Sequence, residues 1–378
     1  MAIYLVRRLF LVVPTLFLIF LINFAVLQFL PGGPVEQYIS RLEGIQGGIV
    51  GRVTGGGGGA DVLEDLSGGA GVDIAGGGGE GAAAGRYRGA QGLPPEFLAE
   101  LERRFGLDLP LHQRFARTLV NYLKLDFGDS FFRNRPVVDL IIEKLPVSIS
   151  LGLWSTLIIY LVCIPLGIAK AVRDGTRFDL STSIIINVAY AIPGFLLGLL
   201  LIVVFASGQF VSWFPIRGLT SDNFDDLSAA GKALDYLHHI ILPVISLSIG
   251  GFAGLTLLTK NSFLDQIRRQ YVVTARARGL SERRVLYGHV FRNAMLIVIA
   301  GFPATLISLL FTGSVLIETL FSLDGLGLLG FEAAFQRDYP IVLGSLYVFT
   351  LIGLLLGIIA DLTYTWVDPR IDFESRDI

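Results

Sequence analysis

Long apolar runs recur along the chain, and six of them are long enough to cross a membrane. A span needs about 20 mostly apolar residues to cover a hydrocarbon core of about 30 Å. Backbone groups in lipid must be paired within the protein, so each run is predicted to be a helix rather than a strand. The predicted spans are 9–30, 147–169, 180–206, 240–259, 294–316 and 341–364. This pattern predicts an all-α, polytopic membrane protein with six transmembrane helices.

A cleaved signal peptide is the alternative interpretation of the first apolar run, because Arg7 and Arg8 precede the run. The run is too long for the apolar region of a signal peptide, and no small-residue cleavage site follows before Pro31. We therefore predict that 1–30 is a retained N-terminal transmembrane segment.

Composition supports the membrane class and excludes others. Apolar residues make up 53% of the chain and charged residues 16%, whereas a soluble domain has about 25% charged residues. A net charge of −2 gives no global basic surface, which argues against nucleic-acid binding. The single cysteine, Cys163, cannot form a disulfide within the chain.

The distribution of lysine and arginine predicts the orientation of the spans, since these residues are enriched in cytoplasmic loops. Four segments outside the spans, taken alternately along the chain, carry 15 lysine and arginine residues, and eight of these lie in 260–293. The two short loops between these segments, 207–239 and 317–340, carry three. The basic segments are 1–8, 170–179, 260–293 and 367–378. Both termini are therefore predicted to be cytoplasmic.

The outer segment 31–146 divides into two parts of different character. The tract 44–92 holds 20 of the 45 glycines and is predicted to be a flexible coil. A phosphate-binding loop is excluded there, because no Gly-Lys-Ser/Thr sequence follows. In 94–144, apolar residues recur at helical spacing and predict two or three short amphipathic helices on the outer face. The recurring residues are Phe97, Leu98, Leu101 and Phe105, and then Phe115, Leu119, Tyr122 and Leu123.

The predicted spans contain few charged residues. Asp361 is the main charged residue inside a predicted span, whereas a proton-driven carrier needs buried ionisable groups. His238 and His239 lack a nearby third ligand, so interfacial residues are the better interpretation than a metal site. We predict no catalytic, metal-binding or cofactor-binding residue, and energy coupling that comes from another subunit.

The basic loop 260–293 is the most informative segment. Phe263, Ile267, Tyr271 and Ala275 recur every four residues and predict one apolar stripe on a helix. Gly279 fits a left-handed position that ends this helix.

A second helix is predicted to follow the glycine. Ser281 is suited to cap it, and Glu282 is suited to its positive end. A basic helix lying on anionic lipid is the alternative. The hairpin centred on Gly279 instead favours docking to a cytoplasmic protein.

The amino-acid sequence of this loop resembles the coupling loop of ABC importer permeases of the oligopeptide, dipeptide and nickel branch. The resembling residues run from Tyr271 to Arg284 and from His289 to Ala294. The broad family motif is Glu-Ala-Ala, three residues, then Gly. Aligned on Gly279, this chain has Val273, Thr274 and Ala275, which matches the peptide branch. Further resembling segments are 4–9, 31–34, 126–130, 145–148, 317–327 and 367–370.

The resemblance implies a fold like that of type I ABC importer permeases. It divides the chain into an N-terminal helix (1–30), the outer segment (31–146), a five-helix core (147–366) and a cytoplasmic tail (367–378). It assigns ATPase coupling to the loop residues Tyr271, Thr274, Ala275, Arg276, Arg278, Gly279, Leu280, Arg284, His289, Arg292 and Asn293.

The resemblance also implies a function and partners. The expected substrates are oligopeptides, with peptide conjugates such as microcin C among them. The expected partners are a homologous second permease, a cytoplasmic ABC ATPase that binds the ATP, a periplasmic peptide-binding protein and the lipid bilayer. An ion-gradient-driven secondary carrier and a membrane enzyme are the alternative classes, and co-purification of an ATPase discriminates among the three.

Overall fold

The computed structural model describes residues 2–29, 33, 35–36, 38–39, 95–104, 106–311 and 315–367. Within these ranges the regular elements are helices, which confirms the all-α prediction. The glycine tract 44–92 and residues 368–378 of the predicted tail lie outside the described residues.

Thirteen α-helices are described, with one 3₁₀ turn at Phe224–Asp226 and one π turn at Leu286–Val290. They are α1 (Ala2–Phe29), α2 (Pro95–Arg104), α3 (Leu111–Leu123), α4 (Val137–Val172), α5 (Arg177–Ala191), α6 (Gly194–Phe205), α7 (Ala229–Ile267), α8 (Gln270–Ala277), α9 (Glu282–Val285), α10 (Phe291–Phe311), α11 (Val315–Leu320), α12 (Leu326–Gln336) and α13 (Tyr339–Val367).

Five of the predicted spans correspond to helices long and apolar enough to cross a membrane. The predicted span 180–206 consists of two helices, because α5 and α6 meet at an angle of 91°. Pro193 causes this break. A residue before proline is pushed out of helical geometry, and Ile192 accordingly has ψ 117°. Counting the bent pair as one span gives six.

Two helices extend well past their predicted bounds. At 1.5 Å per residue, the 36-residue α4 and the 39-residue α7 reach about 54 and 59 Å, beyond a hydrocarbon core of about 30 Å. Only their apolar stretches were visible as spans, since the amphipathic and charged turns at the ends add no hydrophobic signal.

The described residues form two compact units. The first comprises the described parts of 1–17, 140–331 and 345–378, and the second those of 18–139 and 332–344. These bounds differ from those of the predicted outer segment 31–146, because 140–146 belong to the first unit and 332–344 belong to the second.

The second unit contains the predicted amphipathic helices, α2 and α3. Leu98 and Leu101 of α2 are buried against Val35 and Ile39. An aromatic cluster packs α3 against the C-terminal half of α1, with ring centroids 4.9–6.2 Å apart. Its members are Phe20, Phe24, Phe115, Tyr122 and Phe127.

In the first unit, α7 packs against α5, α6 and α10. The approach of α6 to α7 is close, because a Cβ added at Gly194 would lie 2.6 Å from the Ser246 carbonyl oxygen. Arg8 of α1 forms an ion pair with Asp361 of α13. This pair places the start of the first helix beside the end of the last.

The segment 317–327, which resembles the family, builds the start of α12. The buried Glu318 carboxylate accepts a hydrogen bond from the Leu328 N–H at 2.7 Å, and Ser148 Oγ accepts one from the Leu326 N–H at 2.9 Å. Burial raises the pKa of Glu318, and the N–H groups of Leu328 and Gly327 oppose that rise. A side chain at Gly325 would collide with the carboxylate, since its Cβ would lie 2.7 Å from Glu318 Cδ.

Candidate functional site

The basic loop forms a helical hairpin, as predicted, but its first arm is not one helix. α7 ends at Ile267, and α8 begins at Gln270. The break lies at Arg268 and Arg269, where Arg269 has ψ 149°. The apolar spacing of four continues through the break, which is why the sequence pattern concealed it.

Gly279 ends α8 with φ +77°, which confirms the predicted left-handed position. Its N–H donates to the Arg276 carbonyl at 2.9 Å, and the Leu280 N–H donates to the Ala275 carbonyl at 3.4 Å. These two bonds form a Schellman motif, which satisfies carbonyl groups that the helix end leaves free.

The predicted capping roles of Ser281 and Glu282 are partly wrong. Ser281 occupies the N-cap position of α9, but its side chain accepts no capping hydrogen bond. Glu282 lies in the first turn and pairs back across the hairpin with Arg276, at 2.9 Å from Nε and 3.0 Å from Nη2. The two-pronged geometry fixes the angle between the arms, although exposure keeps its contribution to stability small.

The apolar face of the hairpin packs against the permease itself. Its buried residues contact α4 and α10, and Tyr271 and Leu280 pack around the same cluster. Tyr271 also donates to Gln266 Oε1 at 2.9 Å. The buried cluster consists of Ile168, Ala171, Phe263, Val272, Ala275, Val285, Val290, Ala294, Met295 and Val298. Tyr271, Ala275 and Leu280 therefore position the hairpin on the permease's own helices.

The opposite face is exposed and mostly basic. It includes eight residues predicted from the resemblance: Thr274, Arg276, Arg278, Gly279, Arg284, His289, Arg292 and Asn293. An open cavity of about 360 Å³ on this side is lined by Ser281, Arg283, Arg284 and Tyr287. Arg283 and Tyr287 were not predicted as site residues. An exposed aromatic residue beside an arginine pair was the signal that would have identified them.

A buried ion network links the helices beside the hairpin, and no local sequence pattern predicted it. Asp179 of α5 lies between Lys170 of α4, at 3.0 Å from Oδ1, and Lys260 of α7, at 2.7 Å from Oδ2. Lys170 is 3% exposed and donates to the Asp179 carbonyl, to Thr182 and to Ser183 at 2.7–2.9 Å.

The network continues to the surface through Asp174, whose carboxylate lies 2.9 Å from Lys260 and 3.6 Å from Arg268. Lys260 and Arg268 lie at the end of α7 that leads into the hairpin. The network therefore joins three helices at the base of the basic loop.

Across the described ranges, no group of three or more His, Cys, Asp and Glu residues could hold a metal ion. His239 lies 3.6 Å from Asp235 within α7, and His238 contacts the Trp213 carbonyl instead of a shared third ligand. Their geometry offers no metal centre.

A bundle of apolar helices that carries a basic hairpin is consistent with a transport permease, and comparison with known proteins identifies the family. Residues 163–373 match the family described as binding-protein-dependent transport system inner membrane component. The chain belongs to this family. It is therefore the membrane-embedded permease component of an ABC importer.

Full-length relatives narrow the assignment. The chain is 57% identical, over all of both chains, to the peptidoglycan transport system permease protein YejB of Agrobacterium fabrum. It is equally identical, again over all of both chains, to the inner membrane ABC transporter permease protein YejB of Escherichia coli O157:H7. The oligopeptide transport system permease protein AppB of Bacillus subtilis is 36% identical, over 71% of this chain and 83% of that one. The predicted resemblance to peptide-branch permeases is thus confirmed at the level of the family.

Proposed function

We propose that this permease carries peptides inward across the membrane and that the hairpin couples their passage to ATP hydrolysis in a separate cytoplasmic ATPase. The observation that carries the proposal is the two-sided hairpin, with one face packed on α4 and α10 and the other exposed and basic. A hairpin held in this way transmits a push from a docked protein into the helices that support it.

Both arms connect directly to membrane helices. α9 runs through the π turn into α10, and α8 is separated from α7 by two residues. A displacement of the hairpin therefore moves α7 and α10 together. ATP binding shifts the permease between conformations only if the ATPase binds one of them more tightly, and docking on this face provides the differential contact.

The substrate class rests on the relatives. One is named for oligopeptides and another for peptidoglycan, and peptidoglycan contains short peptides. We propose peptides as the cargo, delivered by an outer binding protein to a path between this chain and a homologous second permease. The lack of a charged filter in the spans fits a path that accepts varied side chains.

We propose that both termini are cytoplasmic. The pair between Arg8 and Asp361 holds the first helix start beside the last helix end, which requires an even number of crossings. Five helices cross singly, so the bent pair α5–α6 supplies the sixth crossing.

Topology reporters test this arrangement. Fusions after Arg370 are expected to read cytoplasmic, and fusions after Ser207, just beyond α6, are expected to read periplasmic. A cytoplasmic signal at Ser207 would mean that α5–α6 re-enters without crossing, and the proposed topology would be wrong.

Co-purification tests the docking face. Arg283→Glu with Arg284→Glu reverses two exposed charges without touching the buried cluster, so the permease is expected to stay folded. Association with the ATPase is expected to fall by about tenfold or more, because like charges across an interface cost several kcal/mol. Arg177→Glu, an exposed arginine outside the hairpin, is the matched control. Equal ATPase recovery with the double variant and the control would reject this face as the docking site.

A further inference from the structure

A cavity of about 300 Å³ lies in the second unit. One side of it is basic, with Arg103 from α2 and Arg114 and Arg117 from α3, against one carboxylate, Asp126. Arg103 and Arg117 are exposed, and within the described ranges neither guanidinium has an ion-pair partner. The lining therefore carries an excess of positive charge.

The other side of the cavity is apolar and aromatic. It is formed by the outer end of α1, the start of α13 and the chain after α3. Its residues are Phe24, Leu27, Tyr122, Phe127, Phe131, Tyr339, Pro340 and Leu343. Because α1 and α13 are membrane spans, their ends place this cavity at the level where the hydrocarbon core meets the headgroups.

The surface of α3, the helix beside the cavity, is also suited to the membrane interface. Ala116, Val120 and Leu123 of α3 recur at helical spacing and are exposed, Val120 by 49% and Leu123 by 69%. A soluble surface rarely keeps such a stripe in water, whereas an interfacial helix buries it among acyl chains. Arg117 lies next to this stripe on α3 and faces the cavity.

We infer that this cavity binds an anionic phospholipid of the outer leaflet, with the phosphate held by the arginines and an acyl chain against the aromatic side. Guanidinium groups pair with phosphate in a two-pronged geometry, and a net positive lining favours a headgroup with net negative charge. A free anion would use the arginines but leave the apolar side empty. An acidic protein segment would leave the exposed stripe of α3 in water.

The test uses the full-length permease complex, purified in detergent, with added dioleoylphosphatidylglycerol counted by native mass spectrometry. In the variant Arg103→Gln with Arg117→Gln, retained lipid is expected to fall by about tenfold or more, because two charge-assisted contacts are lost. Lys124→Gln removes a charge from the end of the same helix outside the cavity, and it is expected to retain lipid like the wild type. Unchanged melting temperatures establish that both variants are folded.

Competition identifies the occupant. Inorganic phosphate and a hexaglutamate peptide, each at the concentration of the lipid, are expected to leave the bound phosphatidylglycerol in place. Displacement by phosphate would assign the cavity to a free anion, and displacement by the peptide would assign it to an acidic partner protein. Either result, or equal lipid retention by the double variant and the Lys124→Gln control, would overturn the inference.

Discussion

Gly279→Pro is expected to leave the spans inserted and to abolish coupling between ATP hydrolysis and transport. Proline fixes φ near −65°, whereas this position has φ +77°, and it removes the N–H that donates to the Arg276 carbonyl. The Schellman motif then cannot form, and the two arms lose their relative angle. We expect peptide uptake and substrate-stimulated ATPase activity to fall by about tenfold or more, since each 1.4 kcal/mol of lost docking free energy is a factor of ten.

Two alanine variants separate backbone geometry from packing. An added Cβ meets no atom within 4 Å at Gly279 or at Gly288 of the π turn, so neither substitution causes a clash. Of these two glycines, only Gly279 has a positive φ. Gly279→Ala therefore costs about 1–2 kcal/mol, whereas Gly288→Ala leaves the backbone unstrained. The expected order of activity is Gly288→Ala, then Gly279→Ala, then Gly279→Pro. Normal ATPase stimulation in Gly279→Pro would show that this hairpin is not the coupling element.

Asp179→Ala is expected to destabilise the permease more than any single substitution on its exposed surface. The carboxylate is the shared partner of Lys170 and Lys260, and Lys170 is 3% exposed. Removing one member of a buried ion pair leaves an uncompensated charge, at a cost of about 3–5 kcal/mol. Thermal unfolding of the purified permease in detergent measures the effect as a large fall in the transition midpoint.

The network offers its own controls. Asp174→Ala removes a carboxylate that also contacts Lys260 but is 39% exposed, so the expected loss is about 1 kcal/mol or less. Adding Lys170→Met to Asp179→Ala removes the stranded charge, and it is expected to recover part of the lost stability. If Asp179→Ala and Asp174→Ala unfold at the same temperature, the buried network does not hold these helices together.

Features encoded locally were predictable from the sequence. The left-handed end of α8 follows from Gly279, since glycine adopts a positive φ without the clash of a Cβ. The helices α2 and α3 follow from the apolar spacing on either side of Gly106 and Pro110. The spans follow from runs of about 20 apolar residues.

Features that depend on distant partners were not predictable. Apolar length does not reveal direction, so the hydrophobic run does not give the 91° angle between the two helices that meet at Pro193. Asp179 and Lys260 are 81 residues apart, and no local pattern joins them. An apolar stripe on the hairpin can pack either into a groove of another protein or against helices of the same chain. Only the fold shows that Ala275 packs against the chain's own helices.

Transport by the reconstituted complex is the decisive test of whether this permease imports peptides at the expense of ATP. The permease, its second permease and the ATPase are placed in proteoliposomes with the binding protein, and uptake of a defined labelled oligopeptide and of a peptidoglycan-derived peptide is measured. We expect accumulation that requires ATP, persists with a protonophore and is lost in Gly279→Pro. Uptake that proceeds without ATP and collapses with the protonophore would contradict it, because an ion-gradient-driven carrier gives that result.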